Sequence, residues 1–461
     1  MSGRKFTLSL LLLDTFTLLA LFNVLAWIRG VIPYGTVITW PLLVPWILVV
    51  GTLYLIDGYK TRTDMISVDY TSLHSIALAS ALLITLLITF AVFPDGYRLQ
   101  GSRAVIAIGM LSLLTISLGY RRFIYQRRTE SERDRIIVFL GDRASAEHFR
   151  TECGRHALPH TVVYSIIDDT SSAPFHFPQS QTLKPCEEVI ESIGAGTLPV
   201  EAIVLKESGR SLNAELSESL VQLYFRGIPT YTLELFNQVY WRKIPLYRLN
   251  QTWLFQEGFQ IAREPVFDRI KRVSDVAFAS IGLILAAPLL ALAALAIRVE
   301  DGGPVLFRQN RVGKNRVLFQ AIKLRTMRNT PAAAPAGDTR YTQLEDPRIT
   351  AVGRFLRSTR IDEVPQLWNV LVGQMSLIGP RAEWDRLVND YERAIPCYHF
   401  RHLVRPGITG WAQVNYPYGA NLEDTQRKLE YDLYYIRHFS FFLDASIVLK
   451  TIHTMLFGRG R

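Results

Sequence analysis

The sequence contains few cysteines and lacks the spacings that hold structural metals. Three cysteines occur among 461 residues, and Cys153, Cys186 and Cys397 lie far apart. An odd number of scattered cysteines indicates neither a disulfide framework nor a zinc site, so a reducing compartment is the default expectation. The motif Asp-x-Asp is also absent from the whole chain. Its absence counts against a nucleotide-sugar glycosyltransferase that binds its metal through two such aspartates.

Acidic side chains are too few to balance the basic ones. The chain has 51 Lys and Arg against 41 Asp and Glu, and its formal net charge is +10. Such a balance favours nucleic acid, anionic lipid or a phosphorylated substrate as a partner. Hydrophobic residues make up 49% of the chain, and the mean hydropathy is +0.14. This apolar content favours the lipid and the phosphorylated substrate, so no nucleic-acid partner is expected.

Long hydrophobic runs occupy the first part of the chain. Each has about 17 to 22 residues, enough for a helix to cross roughly 30 Å of hydrocarbon. The four runs are residues 6–27, 37–56, 73–93 and 104–120. Basic residues flanking such runs decide their orientation. Eight lie on one side: Arg4, Lys5, Lys60, Arg62, Arg121, Arg122, Arg127 and Arg128. Three lie on the other: Arg29, Arg98 and Arg103. The asymmetry predicts that the N-terminus and everything after residue 120 lie in the cytoplasm.

One carboxylate, Asp14, lies inside the first run. An ionisable side chain at membrane depth is a functional hypothesis by default. A structural hydrogen bond between two helices is the other interpretation, and it is the one we favour from the sequence.

The segment after the four runs alternates strand-like and helix-like patterns. Residues 136–140, 201–205 and 228–233 are strand-like, and 214–225 is helix-like. This alternation predicts a parallel α/β sheet of Rossmann-like type. A dinucleotide fold has G-x-G-x-x-G in its first turn, where this chain has only Gly141. We therefore expect a degenerate module with a structural or regulatory role. A membrane scaffold or nucleotide sensor built on this module is the competing hypothesis for the whole chain.

A fifth hydrophobic run, residues 276–297, differs from the others because Pro288 lies at its middle. Proline removes a backbone hydrogen bond and bends a helix. The run therefore fits a re-entrant helix that enters one leaflet and returns, or a fifth crossing that tolerates its proline. Flanking positive charge is symmetric and does not decide between them. We favour the re-entrant helix.

Two adjacent carboxylates, Asp362 and Glu363, come just before Pro365. Proline suits the first turn of a helix, so the sequence predicts a helix start here with Thr359 or Asp362 as its N-cap. The positive end of the helix dipole favours ionised carboxylates. Arg381 follows a Gly-Pro pair downstream. The pair fits a solvated acidic helix start, and it fits equally a metal-assisted phosphoryl-transfer site.

Other cations precede the carboxylate pair. Lys323 and Arg325 share one side of a predicted strand, Arg354 lies shortly before the pair, and an Ala- and Pro-rich flexible excursion is predicted at 329–338. Arginines from several segments can converge on one phosphate-rich ligand.

Five motifs of the C-terminal part together resemble the bacterial sugar transferase family. They are K-R-x-x-D at 271–275, K-x-R-T-M at 323–327, D-P-R-I-T-x-x-G-R-F-L-R at 346–357, D-E-x-P-Q-L-W-N-V-L-x-G-x-M-S-L-I-G-P-R at 362–381 and P-G-I-T-G-W-A-Q-V-N at 406–415. The four runs and the α/β segment resemble the large-form, exopolysaccharide-type members, which are monotopic phosphoglycosyl transferases. The family usually bends its membrane helix at Ser-Pro, whereas this chain has Ala287-Pro288.

The resemblance implies a reaction and its residues. A sugar 1-phosphate passes from a UDP-sugar to undecaprenyl phosphate, with release of UMP, in exopolysaccharide, capsule or O-antigen synthesis. Asp362 corresponds to the nucleophile, which forms a covalent aspartyl-phosphosugar, and Glu363 to the Mg²⁺ ligand. The positions expected to contact substrate or interface are Lys271, Arg272, Lys323, Arg325, Arg354 and Arg381.

The resemblance also implies an architecture. We expect four transmembrane helices in residues 1–128, the degenerate Rossmann-like module in 129–262, and an α/β catalytic domain in 263–461 that includes the bent helix 275–298. The catalytic part is expected to face the cytoplasm at the bacterial inner membrane, with membrane lipid as a partner and a homodimer as a possible assembly.

Overall fold

The computed structural model divides the chain into two compact units, Met1–Ile244 and Pro245–Arg461. It describes residues 3–61, 63–92, 103–132, 136–156, 158, 160–167, 185–206, 213–246, 265–328, 348–416, 419 and 421–457. Arg62, Arg98 and the flexible excursion predicted at 329–338 lie outside the described residues. The division into three domains stays a prediction.

Apolar helices begin the first unit, as the hydrophobic runs predicted. They are α1 (Gly3–Ile28), α2 (Leu43–Leu55), α3 (Val68–Leu87, continued by a π-helical turn at Ile88–Val92) and α4 (Arg103–Glu132). Among the described residues of this unit, three segments are long and apolar enough to cross a membrane: Lys5–Ile28, Val68–Val92 and Arg103–Arg128; Asp268–Asp301 in the second unit is a fourth.

The second run forms a shorter helix than expected. A 3-10 turn at Trp40–Leu42 precedes α2, and the chain leaves the helix at Asp57, whose φ is 62°. At 1.5 Å per residue, the apolar segment Trp40–Leu55 rises only about 24 Å, less than the roughly 30 Å of hydrocarbon. That all four helices cross the membrane therefore stays a prediction.

Asp14 joins α1 to α4 through a buried ion pair. Its Oδ2 atom lies 2.8 Å from Nη2 of Arg121, and both side chains are almost fully buried. The hydroxyl of Tyr59 donates to the same carboxylate at 2.6 Å, and the hydroxyl of Tyr120 donates to Oδ1. These contacts support the structural role favoured for Asp14. They also show that Arg121 is buried in an ion pair inside the helices. It is therefore not one of the exposed flanking basic residues from which the orientation of the runs is inferred.

A parallel sheet follows, in the order β2-β1-β3-β4. Its strands are β1 (Ile136–Gly141), β2 (Thr161–Ile166), β3 (Val200–Leu205) and β4 (Thr230–Thr232). The helices are α5 (Arg143–Arg155), α6 (Cys186–Gly194), α7 (Ala214–Phe225) and α8 (Leu233–Phe236). Phe139 of β1 packs with Phe149 of α5, whereas the next residue, Leu140, packs with Val189 of α6 on the other face. The predicted parallel α/β region is confirmed.

An internal ion pair occupies the turn after β1. Asp142 caps α5 by accepting a hydrogen bond of 2.7 Å from the Ser145 amide, and its carboxylate pairs with Lys206 after β3. Burial opposes ionisation, but Lys206 and Ser145 lower the pKa of Asp142 to about 2. A Cβ at Gly141 would lie 2.7 Å from Cβ of Lys206, so this approach requires glycine. A carboxylate at this helix end disfavours a bound phosphate, in keeping with a degenerate module.

In the described part of the second unit, the first helix is the 37-residue α9 (Pro265–Asp301). An antiparallel hairpin of β5 (Leu306–Val312) and β6 (Leu318–Leu324) follows, with β8 (Glu383–Trp384) on its β5 edge. β7 (Ser376–Ile378) pairs in parallel with β9 (Gly407–Thr409). The remaining helices are α10 (Ala351–Ser358), α11 (Gln366–Leu371), α12 (Asp385–Ala394), α13 (Trp411–Asn415), α14 (Leu422–Arg437) and α15 (Phe441–Leu456).

Both ends of α9 pack on the rest of this unit. Near its start, the Arg272 guanidinium donates to the carbonyls of Val370 and Leu371 at the end of α11. Near its end, the Glu300 carboxylate accepts the Ala351 amide of α10 at 2.8 Å. Between these points, Ala279 and Ile297 lie in two separate hydrophobic clusters of the unit.

The opposite face of α9 is apolar and exposed. Ile284, Leu285, Leu292 and Val299 are 72%, 74%, 66% and 78% exposed. Pro288 lies on this side, within one continuous helix that is longer than the predicted 275–298. The re-entrant bend at Pro288 stays a prediction.

Candidate active site

Asp362 and Glu363 lie in a single 3-10 turn, Ile361–Glu363, between α10 and α11. Arg360 starts the turn in the left-handed conformation, with φ of 56°, and thereby ends α10. The helix α11 begins only at Gln366, with Pro365 as its N-cap. The predicted capping by Thr359 or Asp362 is therefore wrong. A non-glycine residue in the left-handed region is uncommon, and the sequence gives no local signal for it.

Glu363 is buried between two cations. Its Oε1 accepts hydrogen bonds from Nζ of Lys323 at 2.7 Å and from Nη2 of Arg381 at 3.0 Å. Burial alone raises the pKa of a carboxyl group, but Arg381 and Lys323 outweigh it and hold the pKa of Glu363 well below its usual range. The two cations thus favour the ionised form of Glu363 and hold its carboxylate in place.

Asp362 is about equally buried, at 8% exposure. Among the residues that the structure describes, no donor bonds to it. Burial, and then the neighbouring charge of Glu363, raises the pKa of Asp362, against the opposing charges of Lys323, Arg357 and Arg381. The two neighbours thus have pKa values shifted in opposite directions, a common sign of divided roles in catalysis.

Lys323 reaches the pair from the end of β6. Burial lowers the pKa of its ammonium, and the charge of Glu363 opposes that effect. Asn369 of α11 fixes this strand: its Oδ1 accepts the Ile322 amide at 3.0 Å, and its Nδ2 donates to the Gln320 carbonyl at 2.7 Å. Sequence reasoning missed Asn369. The available signal was a polar, weakly helix-forming residue inside an otherwise apolar helix turn.

Arg381 reaches the pair from the other side, where β7 and β9 meet. Arg401 holds its backbone by donating to the Arg381 carbonyl at 2.9 Å, and Arg401 is itself paired with the buried Asp432 at 3.0 Å. A Cβ at Gly407 would lie 2.1 Å from the Gly379 nitrogen, so the two glycines allow the chains to meet. The sequence analysis did not assign Arg401 to the site.

The other predicted substrate residues lie elsewhere. Arg325 forms an ion pair with Asp301 at the end of α9, and Arg354 is exposed on α10 without a partner in the described part of the chain. Lys271 forms an ion pair with Asp444, while Arg272 caps α11. The structure therefore brings Lys323 and Arg381 to the carboxylate pair, through Glu363, and for all six residues a substrate role stays a prediction.

Arg357 is a further cation near the pair that the sequence analysis did not select as a substrate residue. Its charge acts on Asp362, and its Nε donates to the Thr326 hydroxyl at 2.9 Å. The sequence analysis selected Arg354, three residues earlier, whereas Arg357 is the residue of this segment whose charge acts on Asp362.

The donor types around the pair fit Mg²⁺, the metal implied by the family resemblance. Mg²⁺ takes oxygen ligands and is usually bound by one or two carboxylates plus substrate phosphates. Glu363 supplies an ionised carboxylate, and Asp362 supplies an adjacent one with unused oxygens. Within the described ranges, no group of three or more His, Cys, Asp or Glu side chains suited to a metal occurs. Glu363 is the residue that fits the metal, and phosphate oxygens from a substrate are needed to complete its coordination.

Comparison with known proteins concerns mainly this second unit. The family model described as Bacterial sugar transferase matches residues 266–458. The chain is 39% identical over 265 residues to UDP-N-acetylgalactosamine-undecaprenyl-phosphate N-acetylgalactosaminephosphotransferase of Aeromonas hydrophila, covering 58% of this chain and 61% of that protein.

Two further relatives are named as glucose-1-phosphate transferases. The chain is 41% identical over 187 residues to UDP-glucose:undecaprenyl-phosphate glucose-1-phosphate transferase of Escherichia coli, covering 40% of this chain and 39% of the relative. It is 44% identical over 191 residues to the protein of the same name in Caulobacter vibrioides, covering 41% of this chain and 70% of the relative. The chain thus spans less than two thirds of the first two relatives and more than two thirds of the third.

Proposed function

Because the chain belongs to the bacterial sugar transferase family, we propose that it transfers a sugar 1-phosphate from a UDP-sugar to undecaprenyl phosphate and releases UMP. The relatives named above are transferases of this kind, for N-acetylgalactosamine or glucose. A further relative, 38% identical over 188 residues, is an exopolysaccharide production protein of Rhizobium leguminosarum. The chain would thus carry out the first step of exopolysaccharide, capsule or O-antigen synthesis. The observation that carries the proposal is the buried Asp362-Glu363 pair between Lys323 and Arg381.

Asp362 is the nucleophile in this proposal. An oxygen of its carboxylate attacks the phosphorus that bears the sugar, and the bond from that phosphorus to the UMP oxygen breaks. An acyl-phosphate sugar on Asp362 results. An oxygen of undecaprenyl phosphate then attacks the same phosphorus, which frees the Asp362 carboxylate and leaves a diphosphate-linked lipid sugar. Splitting one displacement into two in this way is the general benefit of covalent catalysis.

The geometry supports this choice between the two carboxylates. Glu363 is held by two charge-assisted hydrogen bonds, which stabilise its lone pairs and reduce their reactivity. Asp362 has no such bonds among the described residues, so its oxygens remain available for attack. Burial also removes water that would otherwise solvate the attacking carboxylate.

Glu363 and the cations have the complementary role. Lys323, Arg357 and Arg381 bring positive charge to the place where phosphate charge must be bound. Mg²⁺, held through Glu363, would neutralise the diphosphate and help UMP to leave. Lys323 and Arg381 favour the ionised form of Glu363. Both bond to its Oε1 atom, so Oε2 is the oxygen that would accept the metal.

The packing of α9 supports a monotopic arrangement of this unit. The same folded unit holds Arg272 near one end of the helix and Glu300 near the other, about 42 Å apart along a straight helix at 1.5 Å per residue. A bilayer cannot lie between two ends that contact one folded unit. Pro288, on the exposed apolar face, would bend the helix with its convex side toward lipid. The helix would then enter one leaflet and return, as predicted.

This arrangement suits the substrates. Undecaprenyl phosphate moves in the plane of the membrane, and the UDP-sugar comes from the cytoplasm. The catalytic residues 263–461 would therefore face the cytoplasm at the inner membrane, and the apolar helices of residues 1–128 would anchor the chain there. The module at 129–262 would have a structural or regulatory role.

Release of UMP tests the proposal. The full chain in lipid nanodiscs is mixed with undecaprenyl phosphate, Mg²⁺ and a panel of UDP-sugars. We expect turnover with at least one UDP-sugar and a loss of at least about 10³-fold in Asp362→Asn. The matched control is Asp390→Asn, an exposed carboxylate on α12, which should keep full activity. Unchanged turnover in Asp362→Asn would exclude it as the nucleophile.

A further inference from the structure

Arg381 reaches Glu363 with a side chain that is partly exposed. The exposed fraction of this side chain is 39%, and its Nη2 atom lies 3.0 Å from Oε1 of Glu363. A long side chain with this much exposure keeps much of its rotamer freedom, because packing restricts it on one side only. The place of the guanidinium beside Glu363 therefore depends on how firmly the backbone at residue 381 is held.

Hydrogen bonds hold this backbone on both sides of Arg381. On one side the Gly407 amide donates to the Pro380 carbonyl at 2.9 Å, where β7 and β9 meet. On the other side β8 pairs with β5 from residue 383 onwards. Between the two pairings, Nη2 of Arg401 donates to the Arg381 carbonyl at 2.9 Å, and Nη1 of Arg311 donates to the next carbonyl at 3.1 Å. Two arginine side chains thus supply the hydrogen bonds that a neighbouring strand supplies elsewhere.

Arg401 is itself buried and held by two further residues. Its side chain is 8% exposed, and Nη2 also lies 3.0 Å from Oδ2 of Asp432, which is 2% exposed. Nη1 donates to the Tyr398 hydroxyl, and the guanidinium lies over the ring of the same tyrosine. A guanidinium carries five donors in one plane, so it can bond all three acceptors at once. Through Arg401, α14 is connected to the residue that bonds Glu363.

A purely structural ion pair is the alternative explanation for Arg401 and Asp432. Two charges lose their hydration on burial, and this cost often cancels their attraction, so a buried pair is weak evidence for a stabilising role. The bond from Arg401 to the Arg381 carbonyl has a more direct consequence, because it acts on the residue that carries positive charge to the carboxylate pair. Within the described ranges, Arg401 bonds neither Asp362 nor Glu363, so its effect on the site passes through Arg381.

We propose that Arg401 is a positioning residue for the donor substrate: it fixes the backbone of Arg381, so that the Arg381 guanidinium bonds Glu363 and the diphosphate of the UDP-sugar together. The proposal rests on the proposed function, in which Arg381 binds phosphate charge. Asp432 and Tyr398 hold Arg401 in turn. Displacing Arg381 weakens donor binding more than it slows transfer, because the diphosphate is bound both before and during the reaction.

The kinetics of Arg401→Lys test the proposal. Lysine keeps a positive charge beside Asp432, but a point-like ammonium cannot replace the planar fork that bonds three acceptors. UMP release is measured on the full chain in nanodiscs, with the UDP-sugar and undecaprenyl phosphate varied separately. We expect the KM for the UDP-sugar to rise about tenfold, kcat to fall less than about threefold, and the KM for undecaprenyl phosphate to stay unchanged. Arg393→Lys, at an exposed position of α12, is the matched control and should behave as wild type.

A double-mutant cycle shows whether Arg401 acts through Arg381. Dissociation constants of the UDP-sugar with Mg²⁺ are measured by calorimetry in the Asp362→Asn background, where transfer is not required. Once Arg381→Met has removed the guanidinium, adding Arg401→Lys should change the dissociation constant by less than about twofold. An undiminished tenfold change in the double variant would overturn the proposal, since Arg401 would then affect donor binding by another route.

Tyr398→Phe separates positioning from stability. It removes one acceptor of Arg401 and leaves the ring in place, so we expect a midpoint of thermal unfolding close to that of wild type and a rise of about threefold in the KM for the UDP-sugar. Lower midpoints with an unchanged KM, in this variant and in Arg401→Lys alike, would show that the residues around Arg401 only stabilise the fold.

Failure of the positioning role is distinguishable from failure of the proposed function. If wild type released no UMP from any UDP-sugar, the proposed function would be wrong, and the donor role of Arg381 with it. If wild type turned over and Arg401→Lys had the same KM values as Arg393→Lys, only the positioning role would be wrong.

Discussion

Asp362 and Glu363 are neighbours in the chain and are buried to the same extent, yet they differ in what surrounds them. Lys323 and Arg381 both bond to Glu363, and neither bonds to Asp362. Desolvation is the largest single influence on the pKa of both groups; it raises the pKa of Asp362, whereas at Glu363 the charges and hydrogen bonds of Arg381 and Lys323 together outweigh it and lower the pKa. At the scale of single residues, the proposed metal ligand and the proposed nucleophile differ in two hydrogen bonds, which Glu363 accepts and Asp362 does not.

The raised pKa of Asp362 predicts an early loss of activity on acidification. Attack requires the ionised carboxylate, so the rate should fall as the pH drops through a pKa above the ordinary 3.8 of aspartate. The measurement is kcat as a function of pH in nanodiscs at saturating substrates.

Two variants check the cause of this fall in kcat at low pH, the acid limb of the pH profile. Lys323→Met removes a cation that favours ionised Asp362, and should move the limb to higher pH. Glu363→Gln removes the like charge and should move the limb of its residual activity to lower pH. A wild-type limb at or below pH 3.8, or shifts of the reverse sign, would contradict the assigned environment.

At the scale of elements, Asn369 connects two parts of the site. It lies in α11, directly after the carboxylate turn, and bonds the backbone of β6, which carries Lys323. Asn369 thus connects the segment that carries the carboxylates to the strand that carries Lys323, although Lys323 and Glu363 are 40 positions apart in the chain.

Asn369→Ala should disturb this connection. It leaves the Ile322 amide and the Gln320 carbonyl without side-chain partners, at about 1 to 3 kcal/mol for each buried group that stays unsatisfied. We expect a lower midpoint of thermal unfolding together with a reduced kcat, measured on the full chain. Asn389→Ala, at an exposed position of α12, is the control. Equal midpoints and rates in the two variants would show that Asn369 does not hold the site.

Local patterns predicted the elements better than the site. The run at 276–297 predicted α9, and strand-like patterns predicted β1 and β3, because periodicity and apolar length are local properties. The left-handed Arg360 and the 3-10 turn carry no such pattern, so the helix start was misplaced. Lys323 and Arg381 were selected by resemblance, but their convergence on Glu363 and not on Asp362 depends on packing between segments distant in sequence. Likewise, the pairing of Arg121 with Asp14 over 107 positions was not predictable from either run alone.

At the scale of the whole molecule, the proposed function depends on which side of the membrane each end of α9 occupies. Single cysteines at Arg269 and Arg308, both exposed beside the helix, report the two ends. In a background without Cys153, Cys186 and Cys397, we expect a membrane-impermeant maleimide to label both from the cytoplasmic side only. Labelling of the two positions from opposite sides would show that α9 crosses the membrane.

The covalent intermediate is the most direct test of the account as a whole. The full chain is incubated with Mg²⁺ and the UDP-sugar that supports turnover, without undecaprenyl phosphate, and then digested for mass spectrometry. The account predicts that the peptide containing Asp362 gains the mass of one sugar phosphate, that undecaprenyl phosphate removes it, and that Asp362→Asn never acquires it. An adduct on another residue, or UMP release that proceeds only with acceptor and leaves no adduct, would contradict it.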